Sequence, residues 1–212
     1  MTVLNQLASA QNRRDEVPNQ ALAQKIVRSK DVKAVRELVD GLANKDANIR
    51  SDCIKVLYEI GEKAPNLIAG YRSVFGDLLD SKNNRLVWGA MTALDQIALE
   101  DPKGVFAMLD KICAKAATGS VITRDHAVGI LTKLGTLSRY SDACLPALMK
   151  ILKTSPNNQI PMYAEMSLAV ASDKNKPVLR KVFTARLAQL EKESQKKRVQ
   201  KVLKRLANEA EQ

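Results

Sequence analysis

The fold is decided by the stretch DANIRSDCIKVLYEIG, residues 46–61, because its apolar pattern returns at a fixed distance along the chain. Cys53 begins a column of small residues spaced 37 apart, and further apolar residues follow each member after four and seven positions. These offsets place three columns on one face of an α-helix, and a fixed period of this length is typical of stacked helical units. The columns are Cys53/Ala90/Ala127/Ala164, Leu57/Leu94/Leu131/Leu168 and Ile60/Ile97/Leu134/Ala171.

A second helix is predicted between successive copies, because another set of apolar positions recurs at spacings of 36, 38 and 39. Each unit is therefore a predicted helical hairpin whose turn absorbs the variation in period. Pro65 and Pro102 suit the first turns of second helices, and Asp46, Asn84 and Thr123 are predicted N-caps of first helices. The second-helix columns are Val35/Tyr71/Leu109/Leu148, Leu38/Val74/Ile112/Ile151 and Val39/Phe75/Cys113/Leu152.

The composition also favours an all-α fold, with only 9 Gly and 7 Pro among 212 residues. No uninterrupted apolar run approaches the roughly 18 residues of a membrane span, and the polar start does not resemble a secretory signal. We therefore expect a cytoplasmic protein. The three cysteines fit neither a disulfide framework nor a metal site, and we expect them to be buried small residues.

Residues 46–61 resemble the first helix of a HEAT repeat. Ile49-Arg50 stands for the family's Val-Arg pair, and Ile60-Gly61 matches its Ile-Gly ending. Leu134-Gly135 keeps that ending in a later copy, where Arg124 is one position off. The resemblance covers roughly residues 20–190 and implies a right-handed α-solenoid of about five HEAT-like helical hairpins. In that arrangement first helices lie on the convex side and second helices line a concave surface; the fold itself implies no activity.

Two apolar stripes near the C-terminus cannot share one straight helix, which predicts a break near Glu193–Lys196 and a terminal helix of about 196–208. The expected role of this helix is to cap the last repeat, and docking of a partner is the alternative. The stripes are Phe183, Leu187 and Leu190, then Val199, Val202, Leu203 and Leu206. The predicted divisions are 1–17, an N-terminal cap or partly disordered segment; 18–193, the HEAT-like repeat array; and 194–212, the basic C-terminal capping helix.

Positive charge is concentrated toward the C-terminus. The net charge is +11, of which residues 107–212 carry +10. A dense basic cluster attracts a polyanion, whether nucleic acid, an acidic protein segment or an anionic membrane, although it also fits an ordinary solvated face. The predicted polyanion-binding residues are Lys196, Lys197, Arg198, Lys201, Lys204 and Arg205.

The second helices carry a more specific candidate surface. Just after their first apolar column come polar positions that change from mixed charge near the N-terminus to basic charge near the C-terminus. If these positions face the groove, they would hold an acidic or phosphorylated ligand; the alternative is an ordinary helix surface. The predicted partner-binding residues, named here the second-helix set, are Arg36, Arg72, Lys111, Lys115, Lys150 and Lys153.

Catalytic patterns are scarce. His126 is the only histidine and is interpreted as a repeat-surface residue, and phosphate loops and nucleophile elbows are absent. HEAT-like alkylpurine DNA glycosylases use tryptophans around a catalytic aspartate, and Trp88 could share a helix face with Asp95. Because Trp88 is the only tryptophan, glycosylase activity is not expected.

The sequence therefore predicts a nonenzymatic HEAT-repeat scaffold, without cofactor or metal, that binds a protein partner on its concave face. The charge of the second-helix set favours an acidic segment of that partner. The alternative is a nucleic-acid-binding HEAT solenoid that contacts phosphates through its basic C-terminal half.

Overall fold

The computed structural model describes residues 2–208, and every regular element in that range is helical. The chain is a helical-repeat solenoid, which confirms the predicted all-α class. Short 3-10 turns precede or interrupt several helices. The α-helices are α1 (Val17–Ser29), α2 (Val32–Gly41), α3 (Ala47–Lys63), α4 (Arg72–Leu78), α5 (Asn84–Gln96), α6 (Pro102–Phe106), α7 (Leu109–Thr118), α8 (Val121–Gly135), α9 (Ser138–Thr154), α10 (Ile160–Ser167), α11 (Lys176–Leu187) and α12 (Glu193–Asn208).

The chain forms two compact units, Met1–Ala127 and Val128–Gln212, named here unit 1 and unit 2. In unit 1 the first helices α1, α3 and α5 lie side by side, and the second helices α2 and α4 pack against the first helix that follows each of them. Apolar columns fill these contacts, as predicted. Their members in unit 1 are fully buried: Cys53, Ala90, Ala127, Leu57, Leu94, Ile60 and Ile97.

Helices α3 and α5 approach each other closely at Gly89. A Cβ added there would lie 2.7 Å from Cγ1 of Ile54, a distance that real side chains do not adopt. Glycine at this position therefore lets the two first helices approach each other across the buried Ile54 side chain.

One of the three predicted N-caps is confirmed. The Asp46 carboxylate accepts a hydrogen bond from the amide of Asn48 at 2.7 Å and caps α3. The prediction was wrong for α5, which Asn83 caps, and for α8, where Ser120 accepts from the Thr123 amide at 3.2 Å. An N-cap must precede the first helical residue, and the periodicity alone located these two starts too late in the chain.

The N-terminal segment is held to unit 1 by a side-chain clamp. The Asn19 amide oxygen accepts from the backbone amide of Ala8 at 3.0 Å, and its nitrogen donates to Asp52 at 2.8 Å. Asp52 also accepts from the amide of Ser9 at 2.7 Å. Together with the buried Leu7, these bonds fix the 3-10 turns of this segment against α1 and α3.

The fourth first helix, α10 in unit 2, departs from the predicted register. Ala164 is buried, but α10 ends at Ser167, so Leu168 lies half-buried in a 3-10 turn and Ala171 has an extended backbone. The prediction that these two residues continue the helical columns was therefore wrong. Asn175 explains the early end, because its side chain donates to the carbonyl of Val170 and accepts from the amide of Ser172, both at 2.8 Å. It thereby replaces bonds that a longer helix would make.

The terminal helix α12 packs against α10 and α11. Its apolar stripe of Val199, Val202 and Leu206 is buried. The helix begins at Glu193, slightly before the predicted start, and the last residues of the predicted capping segment, 209–212, lie outside the described residues. The capping role itself stays a prediction.

None of the three cysteines is in a disulfide. Cys53 and Cys144 are buried, as predicted, whereas Cys113 is half-buried. Burial, reinforced by the nearby carboxylates of Asp52 and Glu37, raises the pKa of Cys53 to about 12. The Cys53 thiol therefore stays protonated at neutral pH.

Candidate functional site

The part of the second-helix set in unit 1 is partly neutralised. Arg36 is exposed on α2, but Arg72 pairs with Asp101 at 2.9 Å and Lys111 pairs with Asp80 at 2.7 Å. The hydrogen bond from Lys111 lowers the pKa of the Asp80 carboxyl. Arg72 lies on α4 and Asp101 is the N-cap of α6, whereas Lys111 lies on α7 and Asp80 follows the end of α4. These two ion pairs therefore neutralise part of the charge that was predicted to bind a ligand. Lys115 is half-buried.

In unit 2, Lys150 and Lys153 are exposed on the last turns of α9. Neither side chain has a hydrogen bond or ion pair with a residue in the described range. The backbone carbonyl of Lys153 accepts from the guanidinium of Arg186 at 3.2 Å, and the carbonyl of Ser155 accepts from it as well. Arg186 is buried, which lowers its pKa. It therefore fastens the C-terminal end of α9 to α11, a role that the sequence did not reveal.

The basic residues of α12 fall into two groups, those that form ion pairs and those that do not. Lys196 pairs with Glu193 at 2.8 Å, and Arg198 forms two hydrogen bonds with Glu165, at 2.8 and 2.6 Å. The bonds from Arg198 lower the pKa of Glu165. The remaining members of the predicted polyanion-binding group are exposed and have no hydrogen bond or ion pair to any residue from 2 to 208: Lys197, Lys201, Lys204 and Arg205.

Sequence reasoning missed a cleft of about 690 Å³ in unit 1. It is formed by the segment 8–16, the start of α1, and residues of α3 and α5. We name it the N-terminal cleft. It is lined by Ala8, Ser9, Asn12, Arg13, Arg14, Asp15, Glu16, Asn19, Asn48, Ser51, Asp52, Ile54, Lys55, Tyr58, Arg85 and Trp88.

Two aromatic rings contribute to the N-terminal cleft. Tyr58 and Trp88 are half-buried, with ring centroids 5.6 Å apart and planes tilted by 51°. Lys55 lies 4.9 Å from the centroid of the Tyr58 ring and pairs with Glu59 at 2.6 Å and Glu16 at 2.9 Å. Burial opposes the charge of Lys55, but these hydrogen bonds outweigh it and raise its pKa. Burial likewise raises the pKa of Tyr58, so its phenol is neutral at physiological pH.

Most charged groups of the N-terminal cleft are already paired. Arg13 pairs with Asp15 at 2.8 Å, which lowers the pKa of Asp15. The Asp52 carboxylate accepts hydrogen bonds in the clamp that holds the N-terminal segment. The side chains of Arg14 and Arg85 are exposed and make no hydrogen bond or ion pair with the residues that the structure describes. Of the charged residues that line the cleft, four are basic and three are acidic, so the lining has a small positive excess.

Trp88 and Asp95 do not form a shared site of the kind that a DNA glycosylase would need. Trp88 lines the N-terminal cleft, whereas the nearly buried Asp95 carboxylate lies 2.8 Å from Nδ1 of His126 and is not part of the cleft lining. His126 is half-buried and joins α8 to α5. Within residues 2–208, no group of three or more His, Cys, Asp or Glu side chains is arranged to hold a metal ion. In the same range, no helix combines the length and apolarity needed to cross a membrane.

The fold is similar to those of several designed helical-repeat proteins. A designed armadillo repeat protein in complex with the peptide (KR)4 has a TM-score of 0.67 at 18% identity, over 88% of this chain and 86% of that one. A computationally designed armadillo repeat protein for modular peptide recognition has a TM-score of 0.64 at 18% identity, over 95% of this chain and 97% of that one. An engineered protein gives 0.66 at 18% identity, over 97% and 99%. Neither a scan against protein-family models nor a search of curated proteins gave a match.

These similarities support a helical-repeat solenoid. HEAT-like and armadillo repeats are closely similar arrangements, and both descriptions fit this fold. At this level of identity they define the class of fold. The protein therefore belongs to the structural class of helical-repeat solenoids.

Proposed function

We propose that this protein is a nonenzymatic helical-repeat scaffold that binds an acidic segment of a partner protein on the surface of its second helices. That surface is the concave one in HEAT repeats. The observation that carries the proposal is the pair of exposed lysines on α9, Lys150 and Lys153, which have no carboxylate partner in the described part of the chain. In unit 1, Arg36 is an exposed cation on the second helix α2.

The comparison with designed proteins supports a peptide-like ligand. One of those proteins is in complex with the peptide (KR)4, and others were designed for modular peptide recognition. The (KR)4 peptide is basic, whereas the unpaired charges of the second-helix set in this chain are basic themselves. The proposed partner segment is therefore of the opposite sign, by charge complementarity.

The energetics favour an extended ligand with several weak contacts. One exposed ion pair contributes at most about 1 kcal/mol and is screened by salt. A micromolar complex requires about 8 kcal/mol, so single pairs are insufficient. The proposed segment must therefore combine charge pairs with contacts to the apolar stems of the lysine and arginine side chains.

A labelled peptide of alternating Glu and Asp tests this proposal by fluorescence anisotropy. Simultaneous Lys150→Glu and Lys153→Glu substitutions should weaken binding about tenfold, the equivalent of about 1.4 kcal/mol. The control carries Lys45→Glu and Lys82→Glu, the same charge change at exposed lysines outside the second-helix set. Equal affinities of both variants, or a preference of the wild-type protein for (KR)4, would contradict the proposal.

A second candidate function is binding of duplex nucleic acid through α12. Its specific support is the group Lys197, Lys201, Lys204 and Arg205, which is exposed while the apolar stripe of the same helix is buried. Neutralisation of several phosphates makes the logarithm of affinity fall steeply with the logarithm of salt concentration. The measurement is affinity for a random duplex against salt, and absence of binding at about 50 mM salt would exclude this candidate.

A further inference from the structure

The N-terminal cleft has the dimensions of a ligand site. Its volume of about 690 Å³ lies within the range of roughly 300–1,000 Å³ that is usual for such sites. Its lining includes α3 from Asn48 to Tyr58, and ten steps of 1.5 Å make that stretch about 15 Å long. An extended peptide of about four or five residues covers the same distance.

The aromatic pair gives the cleft an apolar contact surface. Tyr58 and Trp88 pack on each other but are only half-buried, so part of their ring surface lies at the cleft. Aromatic side chains pair at tilted or offset geometries with centroids about 4.5–7 Å apart. A third ring, supplied by a ligand, would extend the tilted arrangement that these two already have.

The polar groups favour an acidic peptide. Arg14 and Arg85 are the cleft's exposed guanidinium groups without a partner among the described residues, and a guanidinium matches a carboxylate through two parallel hydrogen bonds. The side chains of Asn48 and Ser51 also line the cleft and can bond to the main chain of an extended peptide. The Ser9 hydroxyl oxygen is buried at the same cleft and lacks a hydrogen-bond partner within residues 2–208.

From this combination we propose that the N-terminal cleft is a second peptide-binding site, separate from the second-helix surface. Its ligand is a short acidic segment that carries one aromatic side chain. The aromatic ring packs against Tyr58 and Trp88, and flanking carboxylates pair with Arg14 and Arg85. The site belongs entirely to unit 1, and it does not depend on the proposed function of the second-helix set.

Trp88 makes this site directly observable, because it is the only tryptophan of the chain. The probe is the blocked peptide Glu-Asp-Phe-Glu-Asp, which contains no tryptophan, so that changes in emission come from Trp88. We expect a saturable change in emission. Replacement of Phe by Ala in the peptide should weaken binding about five- to tenfold, because the ring contact is lost.

The variant that tests the charge contact is Arg85→Glu. The acidic side chain would lie in the first turn of α5, where the helix dipole favours it, so the fold should be retained. We expect at least an approximately tenfold loss of affinity. The matched control is Arg28→Glu on α1, an exposed arginine outside the cleft, which should remain within about twofold of wild type. Circular dichroism verifies that both variants are folded, and Arg85→Gln replaces Arg85→Glu if that variant is not.

Several results would overturn the proposal. They are an unchanged Trp88 emission up to about 1 mM peptide, a response unaffected by the Arg85 substitutions, or a response to (KR)4 instead. A stronger response to single-stranded oligothymidylate would assign the cleft to nucleic acid. The protein with Lys150→Glu and Lys153→Glu should keep the Trp88 response, which separates failure of this site from failure of the second-helix surface.

Discussion

The regular hairpins of unit 1 and the last hairpin of unit 2 are stabilised differently. Between α3 and α5 the contacts are apolar columns with full burial, as at Leu57 and Leu94. In unit 2, α10 is short, and polar contacts supplement the buried apolar stripe of α12. Arg198 joins α12 to Glu165, and Arg186 joins α11 to the end of α9. An apolar period therefore predicts packing between helices only where the helix is long enough to include every apolar column.

The largest expected effect is a difference in stability between substitutions at two members of the same leucine column. Leu94→Ala should lower the free energy of unfolding by about 2–5 kcal/mol, because it leaves a cavity at a fully buried position. Leu168→Ala should cost clearly less, since Leu168 is half-buried in a 3-10 turn. Urea unfolding followed by circular dichroism measures both. Equal costs would mean that the column is continuous after all.

The next effect concerns the polar contact between α9 and α11. Arg186→Met should destabilise the protein by about 1–3 kcal/mol, because the carbonyls of Lys153 and Ser155 lose their buried donor. Arg180→Met, at an exposed position of the same helix, is the control and should stay within about 0.5 kcal/mol. Similar unfolding midpoints for the two variants would show that Arg186 does not stabilise this end of the molecule.

A smaller effect depends on pH. The pKa of Glu165 is lowered by Arg198, so this ion pair stabilises the folded state above the ordinary carboxyl pKa of 4.5. The contribution is lost as the pH falls below 4.5 through the lower pKa of the folded state. Both side chains are about half exposed, so Glu165→Gln should cost less than about 1 kcal/mol at pH 7. The difference between variant and wild type, measured by urea unfolding, should shrink on acidification; a constant difference would exclude the ion pair as its cause.

An effect no larger than this is expected on the exposed face of α12. Joint replacement of Lys197, Lys201 and Lys204 by Glu keeps the buried stripe intact, so stability should change by no more than about 1 kcal/mol in total. Thermal unfolding measures this. If the folded variant also loses a bound polyanion, docking outranks capping as the role of this helix. A variant that unfolds would show that the basic face itself is structural.

Much of the fold was predictable because the positions that recur with the repeat period are buried in the core. The residues 37 apart from Cys53 are small and buried in every copy, including Ala164. The early end of α10 was not predictable, because it depends on Asn175, a single polar side chain outside any column. Ends of helices depend on such individual bonds, whereas their middles depend on many similar contacts.

The N-terminal cleft was missed for a related reason. Its aromatic residues do not recur: the positions one period from Tyr58 and from Trp88 hold Asp95 and Asp125. Its other wall is the segment 8–16, which has no periodic pattern. The available signal was that the single tryptophan stands where the neighbouring copies have Ser51 and Asp125, one helical turn after Arg85.

The clamp of Asn19 and Asp52 links the start of the chain to the stability of its first helices. The amides of Ala8 and Ser9 can exchange hydrogen with solvent only when these two side chains release them. Since Asp52 belongs to α3 and Asn19 to α1, an opening that releases the segment breaks its hydrogen bonds to both helices. Slow exchange at residues 8 and 9, far slower than at an ordinary chain end, is therefore the signature of this opening, and a ligand that holds the cleft wall in place would slow it further.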